Sequence, residues 1–180
     1  MSFFHNDPGR RMLHILLILA VGMMAGGCHS SKKAAGRGKH KAKIENVRVN
    51  TKKLKGEEKR IVEEAMTWRG TPYKYGGYHK GKGTDCSGMV LSVYEKVTGK
   101  KLPRNSAKQA EFCKKLKAKE VNPGDLVFFA TGKDASKISH VGIMIDDDRF
   151  IHASTQKGVV ISEMSTPYYQ RTFKMFGRVP

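Results

Sequence analysis

Acidic residues are scarce in this chain. Its 180 residues include 16 Asp and Glu against 34 Lys and Arg, a formal net charge of +18. So basic a balance suggests a polyanionic partner: nucleic acid, a membrane surface or a cell wall. The excess is unevenly spread. Residues 32–55 hold ten basic side chains and one acidic one, Glu45, whereas residues 56–180 hold 22 and 14. Much of the charge therefore sits in a tail, ahead of a moderately basic remainder. Zinc-finger spacing, an aromatic RNA-binding signature and a basic helix with heptads are all missing, which argues against nucleic acid. Cysteine is also sparse, with three in the chain. There is no close CxxC or HxxxH pair, and one Cys with two His is too few for a closed structural zinc site. Neither a metal nor a cofactor is expected. Cys113 has no partner at an obvious spacing and reads as a buried thiol. Long apolar runs are lacking too. The best, residues 12–24, is broken by His14 and falls short of the roughly 20 residues of a transmembrane helix.

What is present begins with an export signal. Arg10-Arg11 precede that short apolar run, and Ala25-Gly26-Gly27-Cys28 follow it. Cys28 after two glycines resembles a bacterial lipoprotein processing site, with Ala25 where the usual pattern has leucine. The resemblance implies a signal peptide over residues 1–27 and lipidation of Cys28. Plain secretion and an uncleaved anchor are the alternatives. His29, rather than Asp, after the cysteine implies release to the outer membrane, facing the periplasm. Residues 28–55 are rich in Lys, Gly, Ala and Ser and cannot bury enough apolar surface to offset their ordering entropy. They read as a basic flexible tether, either a solvated spacer or an electrostatic contact with anionic lipid or wall groups.

Residues 56–180 read as one folded domain. Ile61, Ala65 and Trp68 recur at helical spacing over residues 57–69, with acids in the first turn and Gly70 at the end. Trp68 reads as packing. Residues 71–84 are a polar, glycine-containing loop in which His79 is solvated. A second helix is expected over 86–97, with Met89, Val90, Val93, Tyr94 and Val97 on its buried stripe and Gly99 as C-cap. Ser106 is the expected N-cap of a short third helix carrying Gln109, Phe112 and Cys113. After Asn122-Pro123-Gly124 the period changes. Strands are expected over 125–130, 140–145, 149–154, 159–164 and 173–179, with a helical turn at 168–171. Helices followed by a meander of about five strands make an α+β layout, with the helices packed on an antiparallel sheet.

Thr84-Asp85-Cys86-Ser87-Gly88 sets a thiol at the mouth of the second helix, where free N–H groups and the helix dipole favour thiolate. A nucleophilic cysteine needs a histidine base and a group that orients it. The domain offers His79, His140 and His152. If residues 146–148 form a three-residue turn, Ile145 pairs with Arg149 and Ile143 with Ile151. Val141, Ile143, Ile145, Ile151 and Ala153 then share one face. His140 and His152 converge on the other as diagonal neighbours, with Gly142 leaving room for their rings. On this reading Cys86 attacks, His140 takes the thiol proton and returns it to the leaving amine, and His152 orients His140. Alone, a cysteine at a helix start is more often a small buried hydrophobe, and a strand histidine is more often packing. Their convergence favours catalysis.

The motifs WRGTPYKYGG, TDCSG, LPR, NPGDLVFF, SHVGIMI and FIHAST, in this order over residues 57–180, resemble the NlpC/p60 family of papain-like bacterial cell-wall cysteine peptidases. The stretch GVVISEMSTPYY further resembles the family's short lipoprotein murein endopeptidases. The resemblance implies a papain-like fold and cofactor-free hydrolysis of amide bonds in peptidoglycan stem peptides or their cross-links. It assigns Cys86 as nucleophile, His140 as base and His152 as third polar residue. Tyr73, Asp85 and Ser87 align with positions that line the family's substrate site. A monomer bound to the membrane through its lipid follows. Two alternatives are a non-catalytic lipoprotein that holds wall peptide, and an acyltransferase or amidase that forms a thioester on the same layout.

Overall fold

A computed structural model of the protein describes residues 54–180. The expected signal peptide, Cys28 and nearly all of the tether lie outside the described residues. Among the described residues no helix is long and apolar enough to cross a membrane.

Helix α1 (Gly56–Met66) carries Glu57 and Glu58 in its first turn and buries Ile61, Val62 and Ala65. It ends three residues earlier than expected. The Thr67 hydroxyl donates to the Glu64 carbonyl at 2.6 Å, and the turn closes at Gly70, whose φ is 80°. Trp68 is buried, its indole N–H donating to Glu64 at 3.2 Å. The loop that follows holds a small hairpin that sequence periodicity misses, β1 (Tyr78–His79) with β2 (Gly83–Thr84). His79 is exposed in it, as expected.

Helix α2 (Cys86–Thr98) follows the expected stripe except at Val97, which is only partly buried. It buries Met89, Val90, Val93 and Tyr94 and ends at Gly99 in the left-handed conformation, φ 75°. Helix α3 (Ser106–Phe112) is capped by Asn105 rather than Ser106. The Asn105 side chain accepts the Lys108 N–H at 2.9 Å, so the cap falls one residue earlier. Cys113 lies just past the helix, in extended conformation.

The main sheet has six antiparallel strands rather than about five. They are β3 (Lys114–Leu116), β4 (Leu126–Phe129), β5 (His140–Met144), β6 (Arg149–Ser154), β7 (Gly158–Glu163) and β8 (Phe173–Arg178). Helix α4 (Pro167–Thr172) joins the last two. The spatial order β3-β8-β4-β5-β6-β7 is not a simple meander, because the final strand inserts between β3 and β4. A bidentate ion pair holds it there: Arg178 donates to both carboxylate oxygens of buried Asp125 at 2.8 and 2.7 Å. Strand β3, which carries two exposed lysines, then closes that edge.

The β5–β6 hairpin has the expected register. Ile143 pairs with Ile151, Met144 with Phe150, and the Ile145 N–H donates to the Arg149 carbonyl at 2.9 Å. Asp146 shapes the turn by accepting from the Arg149 N–H at 2.8 Å and its Nε–H at 2.6 Å. Val141, Ile143, Ile145, Ile151 and Ala153 all pack in the core formed with α1 and α2. The opposite face is covered as well. Val127, Phe129, Met144 and Phe150 form a second cluster there, closed by Tyr169, Phe173 and Phe176. Burying each such side chain stabilises the fold by roughly 1.5–3 kcal/mol.

Candidate active site

Asp85 places Cys86. It is extended, with φ −98°, and its side chain accepts the Gly88 N–H at 2.7 Å as the N-cap of α2. Cys86 is therefore the first helical residue. The turn behind it is tightly packed, for a Cβ at Gly88 would stand 2.1 Å from the Gly77 carbonyl oxygen. Cys86 is half-buried against the core, and the N–H of Val141, the residue after His140 on β5, favours its thiolate form.

The expectation of a ready thiolate is not met. Burial pushes the Cys86 thiol upward, and the Asp85 carboxylate adds to the shift. The N–H groups of Val141, Ser87 and Cys86 itself oppose it without prevailing. Desolvation outweighs the helix terminus here.

The two histidines converge as expected. His140 Nε2 and His152 Nδ1 are 2.8 Å apart, with ring centroids 4.9 Å apart and planes at 87°. Burial lowers His140 to about 4, and burial followed by the charge of His140 lowers His152 well below its ordinary value. Both rings rest neutral at pH 7. Since Nε2 of His140 is taken by His152, Nδ1 is the nitrogen left for a thiol. Gly142 makes the room: a Cβ there would lie 2.7 Å from Phe150 Cδ2, 3.0 Å from the Ile151 carbonyl and 3.3 Å from His152 Cβ.

Tyr73 forms a parallel bridge with Thr84 and packs on the core beside Cys86. Burial raises its hydroxyl, with smaller contributions from Cys86 and Asp85. Asp85 and Ser87 are both buried, and sequence reasoning missed the residue that binds them, Arg104. Its guanidinium donates to Asp85 at 2.8 and 3.0 Å, to the Ser87 hydroxyl at 3.0 Å and to the Gly77 carbonyl at 3.3 Å. Burial alone would raise the Asp85 carboxyl. Arg104 and the N–H groups of Gly88 and Gly76 overcome that and lower it. The only available signal was the position of Arg104 in the Leu102-Pro103-Arg104 segment.

Two more residues lay beyond sequence reasoning. Ser162 Oγ and Tyr169 Oη stand 2.9 and 3.1 Å from His152 Nε2. Ser162 is legible only once β6 pairs with β7, where His152 faces Val160 and Phe150 faces Ser162. Cys113 is a free, half-buried thiol pushed up to about 12, first by burial. Among the described residues no three His, Cys, Asp or Glu side chains gather as a metal site would require.

The arrangement suits acyl transfer: a thiol at a helix start, a neutral imidazole, and a second ring that fixes the first. Comparison with known proteins places the chain in a family. Residues 70–178 match the NlpC/P60 family. A probable endopeptidase NlpC of Escherichia coli is 34% identical over 169 residues, covering 93% of this chain and all of that protein. A murein DD-endopeptidase and LD-carboxypeptidase of the same species, MepS, is 39% identical over 120 residues, 67% of this chain and 62% of that one. A Staphylococcus aureus structure described as similar to a lipoprotein of the NLP/P60 family superposes with a TM-score of 0.61 at 32% identity. The match covers 68% of this chain and 41% of that larger one. With a papain-like α+β fold and this agreement over most of the described residues, the chain belongs to the NlpC/P60 family.

Proposed function

We propose that this protein is a peptidoglycan endopeptidase that cleaves amide bonds through Cys86, His140 and His152. The observation that carries the reading is the 2.8 Å contact between His140 Nε2 and His152 Nδ1, with the N–H of the residue after His140, Val141, favouring the thiolate form of Cys86. As the sulfur attacks the scissile carbonyl carbon, the thiol proton passes to His140 Nδ1. The tetrahedral oxyanion is held by the backbone N–H of Cys86 and the Tyr73 hydroxyl. Collapse expels the amine, which takes the proton from Nδ1 and leaves a thioester. Water then attacks, giving its proton to Nδ1. The second collapse releases the carboxylic acid, and the proton returns to sulfur.

The bond proposed is the diaminopimelate–D-alanine cross-link, supported by the relative named as a murein DD-endopeptidase. The D-γ-glutamyl–diaminopimelate bond within a stem is the competitor. Tyr73, Asp85 and Ser87 are proposed to line the substrate side, with Arg104 fixing the latter two. The proposed setting is an exported monomer, lipidated at Cys28, held to the outer membrane by the basic tether and facing the wall from the periplasm. Mass spectrometry of muropeptides tests the activity. Cross-linked dimers should resolve into monomers of intact stems. Shortened stems would move the assignment to the D-γ-glutamyl bond, and an unchanged digest of both would refute the enzyme reading.

A further inference from the structure

We infer that Ser162 and Tyr169 are positioning residues: together they accept the Nε2 proton of His152 and thereby fix His140 in the tautomer whose Nδ1 is a free base. The inference rests on the proposed roles of Cys86 and His140 and adds the control of their proton.

Three contacts form a triangle. His152 Nε2 lies 2.9 Å from Ser162 Oγ and 3.1 Å from Tyr169 Oη, and the Ser162 hydroxyl donates to Tyr169 Oη at 3.4 Å. A bare Nε2 has one in-plane lone pair and accepts one hydroxyl well. The other oxygen would then meet it lone pair to lone pair. A protonated Nε2 satisfies all three contacts, because one N–H is readily shared between two acceptors. Ser162 then spends its own hydrogen on Tyr169, and the Tyr169 hydrogen is left for the solvent side of this half-buried ring.

The consequence runs through both rings. A neutral His152 with its proton on Nε2 has an acceptor at Nδ1. The atom 2.8 Å from it, His140 Nε2, must therefore donate. A neutral His140 that donates from Nε2 has a bare Nδ1, the nitrogen a thiol proton needs. Burial keeps both imidazoles neutral, so neither ring escapes the choice by carrying two protons. Were His152 protonated on Nδ1 instead, His140 would carry its proton on Nδ1 and meet the thiol with an N–H. The hydroxyls are held where the relay needs them. Tyr169 stacks edge-on against Phe150 at 4.8 Å and beside Phe129 at 5.2 Å, and Ser162 is on β7 diagonal to His152.

Ser162→Ala, Tyr169→Phe and the double variant test this, since each removes one oxygen and keeps the ring packing. Nitrogen-15 NMR of the histidine rings reads the tautomers directly. The wild type should show both imidazoles protonated on Nε2, and finding the His140 proton on Nδ1 would overturn the inference. In the double variant the His152 N–H loses both acceptors, and the proton should shift to Nδ1 on both rings. Turnover of a cross-linked muropeptide should then fall about 100-fold in kcat with KM nearly unchanged, and about 10-fold in each single variant. Ser162→Thr keeps a hydroxyl and should restore most of the rate lost in Ser162→Ala. Wild-type tautomers in the double variant would refute the inference. If that variant does not fold, the same reading on Tyr169→Phe decides, with a displaced tautomer population expected and an unchanged one refuting. If the wild type cuts no muropeptide, the proposed function fails alone, and the tautomers still settle this claim.

Discussion

Burial, more than charge, sets the resting state of the groups at Cys86 and His140. Desolvation raises the Cys86 thiol above its ordinary value and lowers His140 to about 4, so in the proposed mechanism proton transfer would accompany attack instead of preceding it. The alkylation of Cys86 by iodoacetamide should therefore keep rising with pH beyond 9, which is the ordinary thiol value. A plateau already reached near neutrality would show a standing thiolate–imidazolium pair. Stability follows from the same shift. A histidine whose folded pKa lies below its unfolded 6.5 takes up a proton first in the unfolded chain. Stability is complete above pH 6.5 and declines as pH falls through the window toward about 4, by up to about 1.4 kcal/mol per pH unit for each such ring. Urea midpoints at pH 7 and pH 5 should show this drop in the wild type and a smaller one in His140→Gln. The histidine pair was legible in the sequence because strand alternation and a three-residue turn leave one register that buries Val141, Ile143 and Ile151. Arg104, Ser162 and Tyr169 were not, because their contacts depend on packing between elements distant in sequence. Nor was the protonated thiol, because local sequence shows the helix end but not the depth of burial.

At the scale of elements, two glycines hold the parts of the site in register. Gly88 lets the first turn of α2 press against Gly77, whose carbonyl accepts the Asp85 N–H at 3.1 Å. Gly142 lets β5 pass under the rings of Phe150 and His152. In Gly88→Ala the new carbon meets backbone, which must move. The cap of α2 and the position of Cys86 should both suffer, with a loss of about 1–3 kcal/mol in stability and a larger loss of activity. Gly142→Ala meets the Phe150 ring and the Ile151 carbonyl, and should separate His140 from His152 with a loss of similar size. Denaturant unfolding and muropeptide turnover measured together check both, and wild-type values for either variant would show that the close approach is not needed. The helices and the five longer strands were readable from their periods and caps. Strand β3 was not, because three residues with two exposed lysines carry no alternation to read. The cap of α3 moved to Asn105 because Asn and Ser stand side by side and both suit the position.

At the scale of the whole molecule, the fold brings together residues from both halves of the domain. Helix α2 carries the thiol, the β5–β6 hairpin carries both histidines, and β7 with α4 carries the hydroxyls behind them. The insertion of β8 between β3 and β4 could not be read from a list of strands, since it rests on pairing between segments distant in sequence, among them Arg178 with Asp125 across 53 residues. The basic segment ahead of the domain is legible only as composition, and its proposed role is to let a tethered enzyme reach the wall. The proposed function requires that the thiol at the start of α2 perform the cleavage. The most direct test compares kcat/KM on a purified cross-linked muropeptide for the wild type and Cys86→Ala, with matched unfolding curves. The wild type should turn the muropeptide over, and Cys86→Ala should show nothing above background. Undiminished cleavage by a folded Cys86→Ala protein would contradict the proposed function.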